Sequence, residues 1–453
     1  MRAFFENLKA RGNATALVCR GGTFSYAELC AETEKLAARF GAEIPRGASV
    51  ALLADYGFES LAAFFALALN GCIVVPVVSK IEDEIREKLE IAACGFSVLV
   101  DGSGNAPRLE KTALPSATGT PPLFARLRER GAAGLVLFSS GSTGTPKAMI
   151  HDLNAFAAAF PPKRALRPRA ILLFLLFDHI GGLNTLFRAL ADGSKIVVPS
   201  ARAPDEIASL IARENVSVLP ATPTFLNLFL MENVAEKFDI SSLKLISYGT
   251  EPMPEALLRR LKTAFPRTKF LQTFGTSETG IAQTRSFSSD STLMKIDDPA
   301  TECKIENGEL LLRSKTQALG YLNAGTAERF TADGWFRTGD VVEKTADGYL
   351  RIIGRKSDII NVGGEKVFPA EVENVLLEIP QVADCLVFGE PNPVTGQTVS
   401  AKIVLREPMK TLDAKRLVAE HCRGRLARYK IPVRIAVVPA AEFSARFKKI
   451  RRA

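Results

Sequence analysis

A run of small and hydroxyl-bearing residues offers the clearest chemistry in this sequence. Residues 139–147 read SSGSTGTPK and follow an apolar run, GLVLFSS (134–140), which predicts a buried strand. Successive backbone N–H groups in a glycine-rich turn form a concavity that suits anions, and serine and threonine hydroxyls add donors. Lys147 supplies a positive charge at the end of the run. The segment therefore suits a polyphosphate such as the β- and γ-phosphates of ATP.

The phosphate-binding prediction covers the whole loop. The Walker A pattern needs lysine directly after glycine, but Thr145 and Pro146 separate Gly144 from Lys147 here. Composition alone also fits a flexible surface loop, so the rest of the chain has to support the prediction. The residues that we expect to bind phosphate are Ser139, Ser140, Gly141, Ser142, Thr143, Gly144 and Lys147.

Charged side chains further along the chain suit the same kind of site. Glu278, in TFGTSETG (273–280), offers the hard oxygen that Mg²⁺ takes together with phosphate oxygens. Asp340 ends DGWFRTGD (333–340), where the alternative is a turn-capping aspartate. Arg355 has a planar guanidinium with several donors. The chain thus combines a candidate phosphate loop, a candidate metal ligand and a planar cationic group with several donors.

Alternating helix and strand patterns must position these motifs. FESLAAFFALALNG (58–71) has the spacing of a helix that Gly71 ends, and CIVVPVV (72–78) reads as a buried strand. The alternation continues to TKFLQTFG (268–275), with a further strand predicted over the apolar run ILLFLLF (171–177). Such alternation predicts parallel sheets with covering helices.

The pattern changes in the last third of the chain. From 296 to 353 short strands alternate with turn signals, as in ADGWFRTGD and ADGYLRIIG, which predicts antiparallel hairpins. A small α+β unit follows. We therefore predict an N-terminal domain over 1–353, a hinge over 354–357 and a C-terminal domain over 358–453.

Composition and charge exclude several classes of protein. The chain has 453 residues and a net charge of +9, and from Arg423 onward ten Lys/Arg residues stand against one acid, Glu442. No aromatic residues interleave with this basic block as in a nucleic-acid surface, so small phosphorylated molecules or an acidic carrier protein fit it better, unless it is simply a solvated face.

Targeting and redox signals are missing from the sequence. The apolar runs are far shorter than the ~20 residues of a membrane span, and no leader pattern is visible, so we expect a cytoplasmic protein. The seven cysteines are scattered and only three histidines occur, which predicts reduced thiols and no zinc site.

Taken in order, the motifs resemble the adenylate-forming superfamily of acyl-CoA synthetases, peptide-synthetase adenylation domains and luciferases. The resemblance covers nearly the whole chain. It implies an α/β fold with a large N-terminal domain of parallel sheets, covering helices and a small β-rich subdomain, plus a small mobile α+β C-terminal domain. The motifs that carry it are SSGSTGTPK, SYGTEPMPEAL (247–257), TFGTSETG (273–280), GELLLRSKTQALGYLN (308–323), DGWFRTGD (333–340), GRKSDIINVGGEKVFPAEVE (354–373), YKIP (429–432) and FKKIRR (447–452).

The resemblance also implies nucleotide contacts. Phe274 would stack on adenine, Asp340 would accept hydrogen bonds from both ribose hydroxyls, Arg355 would contact ribose and phosphate, and Glu278 would bind Mg²⁺. Serine at 277 replaces the family's usual threonine, and phenylalanine at 274 its usual tyrosine. The remaining nucleotide-site residues implied by the motifs are Gly249, Thr250, Glu251, Gly275, Thr276 and Ser277.

Three further roles follow from the resemblance. His179 would lie at the acyl pocket, with Gly181 and Gly182 leaving room for substrate. Gly363 and Gly364 would let a pantetheine arm pass after the C-terminal domain rotates. A lysine of FKKIRR would stabilise negative charge during adenylation: Lys449 matches the family's lysine, but Lys448 replaces its glycine, so both candidates stay open.

The implied reaction is activation of a carboxylic acid by MgATP as acyl-AMP, followed by transfer to the thiol of CoA or of the phosphopantetheine of an acyl carrier protein. Alternatives are transfer to an amine or oxygen, and a non-catalytic nucleotide-binding relative. The sequence leaves open whether the acid is aryl or aliphatic, and whether CoA or an acidic carrier protein is the acceptor.

Overall fold

The computed structural model describes residues 1–102, 104–112, 121–139, 145–162, 168–325, 329–440, 442–444 and 446–449. The helices of these segments are α1 (Arg2–Lys9), α2 (Tyr26–Glu43), α3 (Phe58–Leu69), α4 (Glu82–Ile91), α5 (Pro122–Glu129), α6 (Leu153–Ala158), α7 (Ile180–Ala191), α8 (Pro204–Glu214), α9 (Pro223–Met231), α10 (Val234–Lys237), α11 (Glu255–Ala264), α12 (Pro369–Leu376) and α13 (Thr411–Cys422).

The strands are β1 (Thr15–Cys19), β2 (Gly22–Ser25), β3 (Ser49–Leu53), β4 (Ile73–Val77), β5 (Phe96–Leu99), β6 (Arg108–Lys111), β7 (Gly134–Ser139), β8 (Lys147–Asp152), β9 (Ala170–Leu172), β10 (Lys195–Val197), β11 (Val218–Ala221), β12 (Leu245–Tyr248), β13 (Lys269–Gln272), β14 (Phe274–Thr276), β15 (Gly280–Ala282), β16 (Thr284–Ser286), β17 (Met294–Ile296), β18 (Thr301–Glu306), β19 (Glu309–Ser314), β20 (Gly320–Tyr321), β21 (Phe336–Lys344), β22 (Leu350–Arg355), β23 (Ile360–Val362), β24 (Glu365–Val367), β25 (Val382–Asn392), β26 (Gly396–Leu405) and β27 (Arg434–Val437).

Two seven-stranded sheets form the larger part of the molecule. The first has the order β13-β12-β11-β9-β10-β1-β2 and is parallel except at the β1–β2 hairpin. The second has the order β20-β8-β7-β4-β3-β5-β6, with parallel pairs at its centre. Helix α3 is buried all round, with alanine, leucine and phenylalanine side chains on every face, and belongs to the largest hydrophobic core. These sheets confirm the predicted α/β class.

A third, antiparallel sheet confirms the predicted hairpin region. It has six strands in the order β16-β17-β22-β21-β19-β18, and its core residues include Leu310, Leu312 and Leu350. Strand β22 ends at Arg355, and the chain then enters a short 3₁₀ turn over Lys356–Asp358.

The last sheet is built only from residues after this turn. Its order is β24-β23-β26-β25, with β27 beside β26, and α12 and α13 share a separate hydrophobic core with it. We call residues 1–355 the N-terminal unit and residues 356–449 the C-terminal unit, from this sheet membership. The hinge and its motion stay predictions.

Local sequence explains several element boundaries. Helix α2 begins with a capping box, in which the Ser25 hydroxyl accepts the Glu28 N–H at 3.1 Å and the Glu28 carboxylate accepts the Ser25 N–H at 2.7 Å. Helix α8 begins at Pro204 and ends before Asn215, whose φ of 51° is left-handed.

One predicted strand is shorter than expected. Strand β9 ends at Leu172 instead of running to 177. The backbone N–H of Leu173 still reaches the Val197 carbonyl, but the carbonyl of Phe174 accepts the Arg202 guanidinium at 2.6 Å instead of a strand partner. The apolar run therefore leaves the sheet, and its second half becomes the wall of a pocket.

Gly182 provides a test of this packing. A Cβ there would lie 2.3 Å from the Leu176 carbonyl oxygen and 2.7 Å from the Tyr56 hydroxyl, whereas a Cβ at Gly95 would meet nothing within 4 Å. We expect Gly182→Ala to lower the free energy of unfolding by about 1–3 kcal/mol or more, because backbone cannot move aside cheaply. Gly95→Ala should stay within about 0.5 kcal/mol of the parent. Calorimetric melting of the two variants checks this, and equal melting temperatures would contradict the packing.

Candidate active site

The candidate site lies at the carboxyl ends of adjacent parallel strands. Phe174 follows β9, Thr222 follows β11 and Thr250 follows β12, and these strands are neighbours in the first sheet. Ligands of open α/β sheets bind at this edge. The pocket there is lined by Phe174, Leu175, Leu176, His179, Arg202, Thr222, Thr250, Arg446, Phe447 and Lys448.

The C-terminal tail inserts into this pocket. The Phe447 ring centroid lies 5.2 Å from that of Phe174 and 5.3 Å from that of Phe225, and the Thr222 hydroxyl donates to the Phe447 carbonyl at 2.9 Å. Phe447 itself has a φ of 50°, which is unusual for a residue other than glycine. The tail is thus held against the N-terminal unit by one tilted and one edge-to-face ring contact and by a hydrogen bond to its backbone.

An ion pair fixes the tail from the other side. Arg446 donates to the Phe138 carbonyl at 3.2 Å, and its guanidinium lies 3.5 Å from the carboxylate of Asp178, which is buried. Because a buried carboxylate needs a cationic or hydrogen-bonding partner, this pair gives the tail a preferred position.

The two consecutive lysines of the tail point to different places. Lys448 lines the pocket, and its pKa there is lowered to about 8: burial is the largest cause, Arg355 and Arg446 act in the same direction, and Glu251 and Asp340 oppose them. The ammonium of Lys449 instead lies 3.2 Å from Asp384 within the C-terminal unit.

The environment of Lys449 is that of an anchored side chain. Its ammonium also lies 3.8 Å from Glu373 and donates to the Cys385 carbonyl, and both carboxylates are 3% exposed. Its backbone N–H donates to Glu251 at 2.8 Å. In this arrangement two buried carboxylates therefore hold the Lys449 side chain in the C-terminal unit, and the role expected for Lys449 in adenylation stays a prediction.

The predicted ribose residues form an ion pair. Asp340 on β21 pairs with Arg355 on β22, and the Arg355 Nε lies 3.0 Å from the carboxylate. Burial raises the pKa of Asp340 above its ordinary value, with the guanidinium opposing that effect. The pKa of Arg355 is raised chiefly by Asp340. The pair lies close enough to Lys448 for each charge to affect the others.

His179 lines this pocket, and its expected role at the acyl group stays a prediction. It caps helix α7, and its Nδ1 accepts the Gly181 N–H at 3.2 Å. Burial, then Lys448 and Arg446, lower the pKa of this imidazole well below its ordinary value, so it is neutral at neutral pH. The expected space at Gly182 is absent, because the Leu175 and Leu176 carbonyls and the Tyr56 hydroxyl occupy it.

The turn after β12 has strained and unsatisfied groups. Thr250 has a φ of 71°, and its buried hydroxyl has no hydrogen-bond partner among the described residues. A Cβ on Gly249 would lie 2.6 Å from the Thr273 hydroxyl, so the turn needs glycine there. The Asp178 Oδ1 and the Tyr248 hydroxyl are likewise buried without a partner. Such orphaned polar atoms mark a place where a polar ligand gains hydrogen bonds.

Two predicted nucleotide contacts are used differently in this arrangement. Glu251 accepts hydrogen bonds from the Thr224 hydroxyl at 2.7 Å and from the Lys449 backbone, so it ties the tail to the N-terminal unit. Phe274 is 7% exposed and packs in the core of the antiparallel sheet. The structure therefore does not present Phe274 as the open aromatic face that we expected for adenine.

The turn around Glu278 is tightly built. A Cβ on Gly275 would lie 2.2 Å from the Gly280 carbonyl, and the Thr276 hydroxyl lies 3.1 Å from that of Thr279. Ser277 is half-buried just before Glu278. Glu278 itself accepts the Tyr321 hydroxyl at 2.7 Å.

Glu278 fits one ligand of a hydrated magnesium ion. Among the described residues no group of three or more His, Cys, Asp or Glu side chains could hold a metal by itself. Mg²⁺ is usually bound by one or two carboxylates plus phosphates and water, so a single carboxylate suffices where a polyphosphate supplies further oxygens.

The ends of the predicted phosphate loop are close together. Ser139 pairs with Lys147 across the β7–β8 hairpin, so Lys147 stands at the loop's exit. Ser140, Gly141, Ser142, Thr143 and Gly144 lie outside the described residues.

The predicted pantetheine residues lie elsewhere. Gly363 and Gly364 form the exposed turn between β23 and β24, with φ values of 60° and 92°. Neither belongs to the pocket lining, so they reach it only if the C-terminal unit moves.

Several site residues were missed by sequence reasoning. Arg202 pairs with Asp55 at 2.7 Å, and Arg446 with Asp178, across large sequence separations. No local sequence pattern indicates either pairing. Asp178, however, directly precedes His179, which was predicted as a site residue. The tail residues Phe447 and Lys448 gave the only local hint, as part of FKKIRR.

Comparisons with known proteins agree with this architecture. The family described as AMP-binding enzyme matches residues 4–322, and the AMP-binding enzyme C-terminal domain matches residues 371–448. Among curated relatives, the 2-succinylbenzoate–CoA ligase of Bacillus subtilis is 27% identical, over 96% of this chain and 93% of its own. The indoleacetate–CoA ligase of Aromatoleum aromaticum is 30% identical, over 90% of this chain and 88% of its own.

Solved structures show the same fold. An anthranilate CoA ligase in complex with anthranoyl-AMP superposes with a TM-score of 0.81 at 22% identity, covering 98% of this chain and 95% of its own. An amide bond synthetase from Marinactinospora thermotolerans gives a TM-score of 0.76 at 24% identity, covering 97% of this chain and 96% of its own.

In the described part of the chain, every helix is too short or too polar to cross a bilayer.

Lys448 should titrate near pH 8. Its lowered pKa means that the ammonium loses its proton about two pH units before an ordinary lysine, whose pKa is ~10.4. ¹³C NMR of the reductively dimethylated protein measures this, with Lys448→Arg to assign the signal. A Lys448 signal that titrates at or above the ordinary value would show that the side chain is not buried beside Arg355.

Proposed function

The chain belongs to the family of AMP-binding enzymes, and we propose that it joins a carboxylic acid to a thiol through an acyl-AMP. The carboxylate attacks the α-phosphorus of ATP, forming acyl-AMP and releasing pyrophosphate; a thiol then attacks the acyl carbon and AMP leaves. Both family domains are present in order, and curated relatives that align with most of this chain are named CoA ligases. The observation that carries the proposal is the half-buried Lys448 beside the Asp340–Arg355 pair at the sheet edge.

The nucleotide would be held from both ends. Asp340 has a buried carboxylate suited to the ribose hydroxyls, and Arg355 beside it suits the α-phosphate. The loop from Ser139 to Lys147 would hold the β- and γ-phosphates. The ion Mg²⁺, bound through Glu278, would offset the negative charge of the phosphates.

The lysine that assists adenylation is Lys448 in this proposal. A positive charge near the α-phosphate stabilises the negative charge that develops as the carboxylate attacks. Its lowered pKa and burial support this role, since a desolvated ammonium acts strongly on a nearby anion. Lys449 would act as a positioning residue, because its anchor on Glu373 and Asp384 orients the neighbouring side chain.

The acid would enter beside His179. The wall of the pocket here is apolar, with Phe174, Leu175 and Leu176, and the imidazole is neutral. Such a wall suits an aryl or aliphatic acid, with the carboxylate toward Lys448. Because Phe447 lines the same pocket, the tail must move at some stage of the reaction. It would move either before adenylation, to admit the acid, or after adenylation.

The second step would need the C-terminal unit to rotate. Gly363 and Gly364 would then approach the pocket, where their lack of side chains leaves room for a pantetheine arm. The thiol would belong to CoA, as in the named relatives, or to the phosphopantetheine of a carrier protein. The basic C-terminal segment suits either acceptor.

A panel of acids tests the proposed reaction. We expect pyrophosphate release with MgATP and at least one aryl or aliphatic acid, and a hydroxylamine-sensitive thioester by mass spectrometry when CoA or a holo carrier protein is added. Adenylate without thioester, but with an amide or ester, would instead identify an amine or oxygen acceptor. No pyrophosphate release with any acid would contradict the proposal.

Substitutions of the two lysines should have different effects when adenylation and thioester formation are assayed separately. Lys448→Ala should slow acyl-AMP formation about 10²–10³-fold by removing a charge at the reacting phosphate, yet leave thioester formation from supplied acyl-AMP within a few-fold. Lys449→Ala should reduce adenylation less and lower the melting temperature, because it removes the ammonium that lies between the buried carboxylates of Glu373 and Asp384. Lys449→Arg should restore much of both.

The opposite result has a clear meaning. If Lys449→Ala abolishes adenylation while Lys448→Ala stays active, then the lysine that assists adenylation is Lys449. In that case the tail would shift by one residue when the nucleotide binds.

A further inference from the structure

A second cavity, rich in arginine, lies between the two units. Its volume is about 570 Å³, and helix α11 forms one wall while the ends of α12, β26 and α13 form the other. It is separate from the candidate active site and shares no lining residue with it. The cavity is lined by Ala256, Arg259, Arg260, Leu377, Glu378, Ile379, Pro380, Arg406, His421 and Arg425.

Protein partners engage only part of each guanidinium from the C-terminal unit. Arg406 donates its Nε to the Pro380 carbonyl at 2.9 Å, and Arg425 donates one Nη to the His421 carbonyl at 2.8 Å. A guanidinium has five N–H donors, so most of this capacity faces the cavity or solvent.

The two arginines of helix α11 are likewise only partly engaged by protein groups. Arg260 donates to the Ala383 carbonyl at a long 3.4 Å, and Arg259 lies 3.2 Å from the carboxylate of Glu378. The Nε2 of His421 is buried with no hydrogen-bond partner among the described residues; its nearest carboxylate oxygen, from Glu378, is 3.7 Å away.

The charges of the cavity do not balance. Four guanidinium groups face one carboxylate among the lining residues, and that carboxylate is shared by Arg259, His421 and Arg425. Burial, and then the nearby Arg406, lower the pKa of Arg260 to about 10. Arg259, Arg406 and Arg425 are exposed and Arg260 is half-buried, so solvent screens part of the repulsion among these like charges, and a bound anion would offset the rest.

We propose that this cleft binds a phosphorylated small molecule, with Arg260 of the N-terminal unit and Arg406 of the C-terminal unit on the same phosphate group. Phosphate oxygens match the planar fork of arginine and accept paired hydrogen bonds from it. The unpartnered His421 nitrogen offers a further donor. The apolar part of the lining, at Leu377 and Ile379, leaves room for an organic portion beyond the phosphate.

The occupant would couple to the active site through the C-terminal unit. Arg260 contacts the carbonyl of Ala383, and the next residue, Asp384, holds the Lys449 ammonium. A ligand that joins the two units binds only the arrangement in which Lys448 lies in the pocket, so it shifts the equilibrium toward that arrangement. This consequence rests on the proposed function, whereas phosphate binding itself does not.

Inorganic phosphate is the probe for the site. Isothermal titration and thermal melting should be compared at equal ionic strength for phosphate and chloride. We expect phosphate to bind and to raise the melting temperature of the wild type and of Arg86→Gln, a matched change at an exposed helical arginine. Arg260→Gln/Arg406→Gln should lose at least about 10-fold in affinity. An unchanged affinity in the double variant would overturn the proposal.

A variant that is expected to bind phosphate more tightly distinguishes loss of the site from loss of folding. Glu378→Gln removes the one carboxylate of the lining and should tighten phosphate binding by about 3- to 10-fold, since it removes repulsion of an anion. Binding that is unchanged or weaker in Glu378→Gln would contradict the site. Because neither measurement uses ATP or an acid, a failed acid panel would leave this result standing.

Competition by CoA and by dephospho-CoA identifies the kind of phosphate group that the site binds. CoA that displaces inorganic phosphate, with dephospho-CoA that does not, would identify the 3′-phosphate of CoA as the occupant. Equal displacement by both would indicate the diphosphate, and no displacement by either would indicate free phosphate or another phosphoester. Each of these results supports a phosphate site, whereas an absence of phosphate binding to the wild type overturns it.

Discussion

The placement of one half-buried lysine of the C-terminal tail among charges of the N-terminal unit is the constraint on which this structure depends. Lys448 comes from the C-terminal tail, while Glu251, Asp340 and Arg355 come from the N-terminal unit. Burial works against its charge, and the two carboxylates only partly offset the neighbouring guanidinium groups. The cluster is therefore stable in this form only while the tail is held in place, and an anionic nucleotide would relieve its excess positive charge.

The way the tail is held follows from simple chain geometry. Lys449 forms an isolated β-bridge with Phe443, which closes a turn that contains Phe447 in its left-handed conformation. In this arrangement the Lys448 side chain enters the pocket while the Lys449 side chain enters the C-terminal unit. The carboxylates of Glu373 and Asp384 receive it, and Glu373 also accepts the Val387 N–H at 2.9 Å. The anchor thus belongs to the core of the unit that would rotate.

Much of the fold could be predicted because its signals are local. The helical spacing of α3, the buried run of β4 and the hairpin turns before Arg355 each act over a few residues. The pairing of Asp340 with Arg355 also follows from adjacent strands of one such hairpin. The predicted length of β9 was wrong because a distant guanidinium, Arg202, replaces its strand partner.

The finer features of the site could not be predicted from the sequence. Motif matching aligned Lys449 with the family's lysine, but the sequence gives no signal for the contacts of Lys449 with Glu373 and Asp384, which lie far away in the chain. The burial of Phe274 and the Arg446–Asp178 pair depend on contacts far apart in the chain. The arginine cleft arises only when α11 meets the C-terminal unit, and its residues are scattered over 256–425.

A crystal structure with a non-hydrolysable ATP analogue and Mg²⁺ tests the central claim most directly. The account predicts that Asp340 contacts the ribose hydroxyls, that the β- and γ-phosphates lie by Lys147 and Glu278, and that the Lys448 ammonium faces the α-phosphate while Lys449 stays on Asp384. A nucleotide bound away from the Asp340–Arg355 pair, or Lys449 at the α-phosphate with Lys448 turned out, would contradict it.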